Sequence, residues 1–227
     1  MRKAAAITIL FIAVFAVVYA LKFPYSEYLE KAVSDLGSNK DLKITWAGSE
    51  NRLLSVVLKK VTVATNQGVV AEFNEVHVRS GITGVIHLDG KGDDNFTLKA
   101  SMKKGDVKFE IDNYPLPSFI ASMAGSGTFH FEGNYDTAGK KGDVTFNGTL
   151  DRIPNPIVKF PAAIVGEAEI RGNDTKITFE AGGRNIKGNG EINIKGKAID
   201  GSVLIDTGII PLKAKVSGDL GNIKIRL

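Results

Sequence analysis

Three histidines are the residues of this sequence with the widest range of chemistry, because an imidazole can bind a metal or transfer a proton near neutral pH. His77, His87 and His130 each lie inside or beside a stretch of alternating apolar residues. None of them stands in a His-x-His or His-Glu-x-x-His spacing, so the pattern indicates ordinary histidines of a sheet surface and no metal site. The chain has no cysteine, which excludes a thiol nucleophile and a thiolate metal site.

Other segments with a superficial likeness to functional motifs are better explained as turns. Asp93-Asp94 lies in a glycine-rich stretch, but the spaced oxygen ligands and closing glutamate of a calcium loop are absent. The triplets Gly125-Ser126-Gly127 and Gly188-Asn189-Gly190 neither follow a strand into a helix nor end in the Gly-Lys-Ser/Thr of a phosphate loop. We therefore predict that the protein is not an enzyme and has no cofactor.

The basic residues are spread along the chain, which has a net charge of +4. Pairs such as Lys103-Lys104 and Lys140-Lys141 fall in predicted turns, where lysine solubilises a protein and protects strand edges. A nucleic-acid interface would need these charges in one cluster, and none is present. We predict no nucleic-acid partner.

From Leu42 onward, apolar and polar residues alternate with a period of two, and clusters of Gly, Asn and Asp separate the alternating stretches. One of these clusters, Asp89-Gly90, is assigned to a turn. Short strands in close succession without helices between them indicate antiparallel pairing. The predicted fold is all-β: a curved antiparallel sheet, or an open β-sandwich or half-barrel, of about a dozen strands.

Such a sheet has one apolar side that must be covered. A second sheet would form a sandwich, closure would form a barrel, and an open trough would need lipid chains or a partner protein to fill it. A self-covered sandwich and an open groove remain alternatives. The candidate lipid-binding or partner-binding residues are the apolar ones that the alternation places on this side: Leu98, Met102, Phe109, Phe129, Phe131, Phe146, Ile177 and Phe179.

The N-terminus is an apolar run that follows Arg2 and Lys3 and is long enough to cross a bilayer. We predict a transmembrane anchor over residues 1–22, with a cytoplasmic N-terminus because of the preceding positive charges. A cleaved signal peptide is the alternative. Residues 23–38 have the i, i+3, i+4 apolar spacing of a short juxtamembrane helix. Residues 39–227 form the predicted β domain, exported in either case.

The order of these features resembles a known family. Phe23-Pro24-Tyr25 follows the anchor directly, a strand at Leu42–Ala47 and a leucine-rich pair at Leu53–Val63 come next, and the chain finishes on the strand Gly218–Leu227. This arrangement resembles the short bacterial form of the type II secretion system protein N (GspN) family. More distantly, it is similar to AsmA-like and LPS-export-type periplasmic β-proteins. The resemblance covers most of the chain and consists of strand and turn patterns.

The resemblance implies an accessory structural component of type II secretion. Such a protein crosses the bacterial inner membrane once, and its periplasmic β domain docks other secretion subunits. The AsmA-like relatives imply an alternative function for the same surface, which is to hold or transfer lipid acyl chains along an apolar groove. An exported adhesin-like or enzymatic domain without a recognisable site is a third possibility. No catalytic or metal-binding residue is implied by either family.

Overall fold

The computed structural model describes residues 42–52, 55–65, 68–80, 84–118, 121, 125–152, 162–183, 186–206, 211–219 and 222–226. The predicted anchor at 1–22 and the predicted helix at 23–38 lie outside these residues. Within them, no helix combines the length and the apolar character needed to cross a membrane.

In the residues that the structure describes, fifteen β-strands make up one sheet. Their bounds are Leu42–Thr45 (β1), Gly48–Arg52 (β2), Ser55–Thr65 (β3), Gly68–Ser80 (β4), Ile86–Lys91 (β5), Thr97–Lys103 (β6), Asp106–Pro115 (β7), Ser126–Asp136 (β8), Lys141–Arg152 (β9), Ala162–Arg171 (β10), Asp174–Gly183 (β11), Ile186–Lys195 (β12), Ala198–Asp206 (β13), Pro211–Asp219 (β14) and Asn222–Arg226 (β15).

The sheet is an antiparallel meander in which every strand from β3 onward pairs with the next strand of the chain. The short strands β1 and β2 both pair with β3, β1 along its second half and β2 along its first half. No pairing among the described residues joins β15 back to β1 or β2, so the sheet is open. The predicted all-β antiparallel class is confirmed, and the sheet has more strands than the dozen expected.

The register of the meander gives the sheet two different sides. Phe131 pairs with Phe146, Phe146 with Gly166, Gly166 with Phe179, and Phe179 with Gly190. Paired residues of neighbouring strands have their side chains on the same side of a sheet. We call this side the apolar face, and the side that carries the intervening residues the polar face.

The best-buried part of the apolar face lies near the start of the sheet. Its core residues are between 2% and 6% exposed, and Trp46 and Leu98 are among the partly buried residues that pack against them. These core residues are Val56, Leu58, Val61, Phe73, Val76 and Phe96. Phe96 comes from the turn between β5 and β6, where the Gly92 N–H donates to the Phe96 carbonyl at 2.8 Å. Asp93 belongs to this turn, as predicted.

Asp89-Gly90, predicted as a turn, lies instead inside β5. Gly90 sits on the apolar face, where a Cβ atom would come within 2.8 Å of the Phe73 ring. The glycine is therefore explained by close packing against an aromatic side chain, and the reversal of the chain comes a few residues later.

Aromatic rings connect this core to the middle of the sheet. Ring centroids lie 4.8 Å apart for Phe73 and Phe96, 5.6 Å for Phe96 and Tyr114, and 5.7 Å for Tyr114 and Phe131. Phe146 follows at 6.0 Å from Phe131. These separations are typical of favourable tilted and edge-to-face pairs, each worth roughly 0.5–1.5 kcal/mol beyond its buried area.

One hydrogen bond shows that the sheet curls toward its apolar face. The Tyr114 hydroxyl of β7 donates to the Val70 carbonyl of β4 at 2.9 Å, although β5 and β6 lie between these strands. Three strand spacings in a flat sheet amount to about 14 Å, further than a tyrosine side chain reaches. The curved sheet predicted from the sequence is therefore present at this end of the molecule.

Replacing Tyr114 with Phe removes this bond and leaves the Val70 carbonyl without its donor. We expect the free energy of unfolding to fall by about 1–2 kcal/mol. The measurement is urea unfolding followed by the fluorescence of Trp46, the single tryptophan of the chain and a neighbour of the core. The control is Tyr135→Phe, since the Tyr135 hydroxyl has no partner in the part of the chain that the structure describes.

The same pair of variants has an expected pH dependence. Burial raises the pKa of Tyr114 above its ordinary value of 10.0, so the folded state favours the neutral phenol. The stability that this group contributes is complete below pH 10 and is lost as the pH rises through the raised pKa. The difference in the free energy of unfolding between the wild type and Tyr114→Phe should therefore become smaller above pH 10. Equal stability of the two tyrosine variants at neutral pH would contradict the role of this bond.

Candidate functional site

The structure places all eight candidate residues on the apolar face, on five different strands. Phe129 is 8% exposed, while Met102, at the end of β6, is 40% exposed. The other six residues are partly exposed. The alternation therefore located the correct side of each strand, and the residues lie along a single continuous surface.

The middle of the apolar face lacks polar side chains. Three successive inward positions on each strand from β9 to β13 form a block in continuous register, which we call the central strip. Every position of the central strip is partly exposed, in contrast to the core at β3 and β4. Its members are Val144, Phe146, Gly148, Ile164, Gly166, Ala168, Ile177, Phe179, Ala181, Gly188, Gly190, Ile192, Gly201, Val203 and Ile205.

Phenylalanine rings of the central strip lie over glycines of the neighbouring strands. A Cβ atom at Gly166 would collide with the Phe146 ring and would lie 2.8 Å from the Phe179 Cβ. A Cβ atom at Gly190 would likewise collide with the Phe179 ring. Because the rings occupy the space above residues without side chains, the surface has low relief.

The same arrangement of a phenylalanine ring over a glycine recurs on other strands of the apolar face. A Cβ atom at Gly148 would come within 2.5 Å of the Phe129 ring, and one at Gly133 would come within 2.8 Å of the Phe109 ring. The alternation of apolar and polar residues predicts no role for these glycines in the surface. Their signal was present in the sequence as single glycines at the apolar positions of alternating strands.

Beyond the central strip, the side chains of the apolar face are buried again. Ile199 on β13, and Ala214 and Val216 on β14, are 5–6% exposed. The partly exposed strip therefore lies between two buried regions, one at β3 and β4 and one at β13 and β14.

The polar face carries charged and hydrogen-bonding side chains along its length. Lys176 Nζ lies 3.1 Å from Glu191 Oε2, and Arg171 Nη2 lies 3.2 Å from Asp143 Oδ1. The hydrogen bond from Asn193 and the contact with Lys176 hold the pKa of Glu191 below its usual range. Exposed pairs of this kind contribute little to stability, because water screens the attraction between their charges.

An open depression of about 660 Å³ lies over β9 to β14 on this face. Its lining includes Glu167, Glu180 and Glu191 together with two exposed apolar residues, Val165 at 60% and Leu204 at 40%. A second depression, of about 710 Å³, lies over β5 to β9 and includes His87 and Lys99. Both are wide open to solvent and mixed in character.

The histidines differ in their surroundings. His77 Nε2 lies 3.2 Å from Glu75 Oε2 on the same strand. His130 Nδ1 lies 2.6 Å from Asp112 Oδ1 on the neighbouring strand, and Glu110 completes a group whose ligand atoms lie within 4.8 Å of one another. The expectation of no metal site rested on spacing along the chain, which cannot detect a group formed across two strands.

Gly166→Ala tests the close approach of rings and backbone. The new Cβ atom meets the Thr178 carbonyl oxygen as well as the Phe146 ring, and the carbonyl belongs to a paired strand that cannot move aside. We expect the free energy of unfolding to fall by about 1–3 kcal/mol in urea unfolding.

Gly182→Ala is the matched control, because a Cβ atom at Gly182 meets nothing within 4 Å. Both substitutions restrict the unfolded chain equally, so this effect cancels between them. The control should change stability by no more than about 0.5 kcal/mol. Equal effects of the two substitutions would show that the rings do not occupy the space above Gly166.

Comparison of the chain with protein-family models, with curated proteins and with solved structures gives no match.

Proposed function

We propose that this protein holds lipid acyl chains against the central strip of its apolar face. The observation that carries the proposal is a continuous block of apolar positions on five strands, all partly exposed and none with a polar side chain. An exposed apolar surface of this kind marks an interaction site in a soluble domain.

The chemistry of the strip favours hydrocarbon chains over a protein as its occupant. Protein–protein interfaces carry about ten hydrogen bonds and set polar groups among their apolar contacts. The central strip has only aliphatic and phenyl groups and glycine backbone, and its hydrogen-bonding groups are engaged within the sheet. A flexible acyl chain needs no hydrogen bonds and adapts to a surface of low relief.

The dimensions also suit an acyl chain. Five strands at about 4.8 Å spacing give a strip roughly 19 Å wide, and three inward positions span about 13 Å along each strand. The chains of one leaflet extend about half of the ~30 Å hydrocarbon core, or ~15 Å. The strip can therefore accommodate one or two chains lying on the sheet.

The expected affinity is moderate. Burial of a methylene group is worth about 0.8 kcal/mol, so a chain of ~16 methylenes that is covered on one side gains on the order of 6 kcal/mol. This corresponds to a dissociation constant on the order of 10⁻⁵ to 10⁻⁴ M. The value refers to lipid in water, since a bilayer covers an acyl chain on all sides.

We propose that the protein is anchored in a membrane whose lipids carry such acyl chains. The apolar run after Arg2 and Lys3 would fix the chain in the bacterial inner membrane as a single-pass protein. The β domain would then lie in the periplasm, close to the outer leaflet of the inner membrane. The resemblance to AsmA-like proteins supports the same function.

The second candidate is the accessory role in type II secretion that the resemblance to protein N implies. The observation that favours it is the open sheet, which has an edge at β15 and another formed by β1 and β2. The outer backbone groups of an edge strand can pair with a strand of another protein. In this case secretion subunits would dock at the edges.

Phe146→Asp tests the lipid-binding proposal. We expect the variant to fold, because Phe146 is partly exposed and lies away from the Trp46 core, and to lose lipid contact, because a carboxylate repels hydrocarbon. The full chain is placed in vesicles of phosphatidylethanolamine and phosphatidylglycerol that contain a phosphatidylethanolamine with a photoactivatable acyl chain. Covalent labelling of β9 to β13, measured by mass spectrometry, should fall at least tenfold, or about 1.4 kcal/mol.

Asn147→Asp is the control for this experiment. It introduces the same charge at the next residue, on the polar face, and changes the size of the side chain very little. Labelling of this variant should equal that of the wild type. Unfolding of Phe146→Asp would show a closed core, and unchanged labelling would exclude the strip as the lipid site. Crosslinks from β15 to secretion subunits in cells, with no lipid adduct, would favour the second candidate.

The proposed topology has its own test, which uses the absence of cysteine from the chain. Lys197→Cys places one thiol in the exposed turn between β12 and β13, and Lys3→Cys places one before the apolar run. A membrane-impermeant maleimide added to cells with a permeabilised outer membrane should label Lys197→Cys and not Lys3→Cys. Labelling of both thiols only after lysis would contradict a periplasmic domain.

A further inference from the structure

We propose that Glu110, Asp112 and His130 form a binding site for a divalent transition-metal ion on the polar face. Asp112 Oδ1 and His130 Nδ1 lie 2.6 Å apart, and a Glu110 oxygen lies within 4.8 Å of both ligand atoms. All three side chains are partly buried, so the backbone and neighbouring residues restrict their orientation. This site is independent of the apolar strip and of the proposed function.

The pairing of β7 with β8 brings the three side chains together, beside a β-bulge. Ile111 pairs with Phe131 and Tyr114 pairs with Phe129, so that Asp112 and Asn113 of β7 both face His130 of β8. Asn113 has a φ of 52°, and its side-chain amide donates to the Asn95 carbonyl at 3.3 Å. Asp112 would lie opposite His130 in a regular ladder as well, and the bulge accommodates Asn113 as the additional residue of β7.

The donor atoms fit a zinc-like ion better than calcium or magnesium. An imidazole nitrogen is a ligand for zinc and related ions, whereas calcium and magnesium prefer oxygen ligands throughout. Two carboxylates neutralise the charge of a divalent ion. Donors at ~2.0–2.2 Å from a tetrahedral ion lie ~3.4 Å apart, so the ion would replace the proton between Nδ1 and Oδ1 with small side-chain movements. Water would complete the coordination on the open side.

Two further charged groups bear on the affinity of this site. Lys99 Nζ lies 3.3 Å from Glu110 Oε2 and competes with the ion for this carboxylate. Glu132 pairs with Glu110 across the two strands and adds negative charge at the same face. We therefore expect Lys99 to weaken metal binding and its replacement by a neutral residue to strengthen metal binding.

The test is a calorimetric titration of the untagged full chain in detergent with Zn²⁺, supported by the visible absorption of bound Co²⁺. Wild-type protein should bind one ion per chain with a dissociation constant in the micromolar range. His130→Gln and Asp112→Asn should each weaken binding at least ~10-fold, since loss of even an outer-shell partner of a metal ligand costs ~10–100-fold. Lys99→Gln should bind more tightly than the wild type.

His77→Gln is the matched control. His77 and His130 each contact a carboxylate, and their side chains are 32% and 30% exposed, but only His130 belongs to a group of three ligands. His77→Gln should keep wild-type affinity, and Zn²⁺ should raise the unfolding temperature of this variant and of the wild type. Absence of wild-type binding at 100 µM Zn²⁺, or equal losses in the two histidine variants, would overturn the proposal. Lys99→Gln keeps the test valid should His130→Gln fail to fold.

Discussion

The alternation of side chains along each strand, held in register by the antiparallel ladder, is the constraint on which the rest of this structure depends. From Phe131 to Val203, five successive pairings keep each inward residue on one side of the sheet. A slip of one residue in any ladder would move the apolar positions of that strand to the polar face. The core, the central strip and the paired charges of the polar face all follow from this register.

The sequence was sufficient to predict the fold class and the side of each strand that faces inward, because both depend on a period of two that is visible locally. It failed where glycine replaces an apolar residue, since the alternation of β5, β10 and β13 is interrupted at Gly90, Gly166 and Gly201. Because of these interruptions, the sequence pattern predicts too few strands and places a turn at Asp89-Gly90. Phenylalanine on the neighbouring strand accounts for the glycine at Gly90 and at Gly166.

The candidate sites differ in how far a sequence can predict them. The apolar face repeats a local pattern, so all eight candidate residues could be identified without knowing which strands are neighbours. The group of Glu110, Asp112 and His130 depends on the pairing of β7 with β8, which is not encoded in any spacing along the chain. Whether the apolar face is covered is likewise a property of the whole sheet, which the period of two along each strand does not encode.

Because strands of the meander pair with their neighbours along the chain, the number of strands can change without rearrangement of the rest of the sheet. Each strand from β4 onward exchanges its hydrogen bonds with its neighbours along the chain, so the sheet is a one-dimensional array of hairpins whose stability is close to a sum over adjacent pairs. Insertion or deletion of one hairpin would alter the width of the apolar face by about 10 Å and leave the remaining pairings intact. The extent of the apolar face is thus adjustable in units of two strands, with an even number required to keep the direction of the chain that follows.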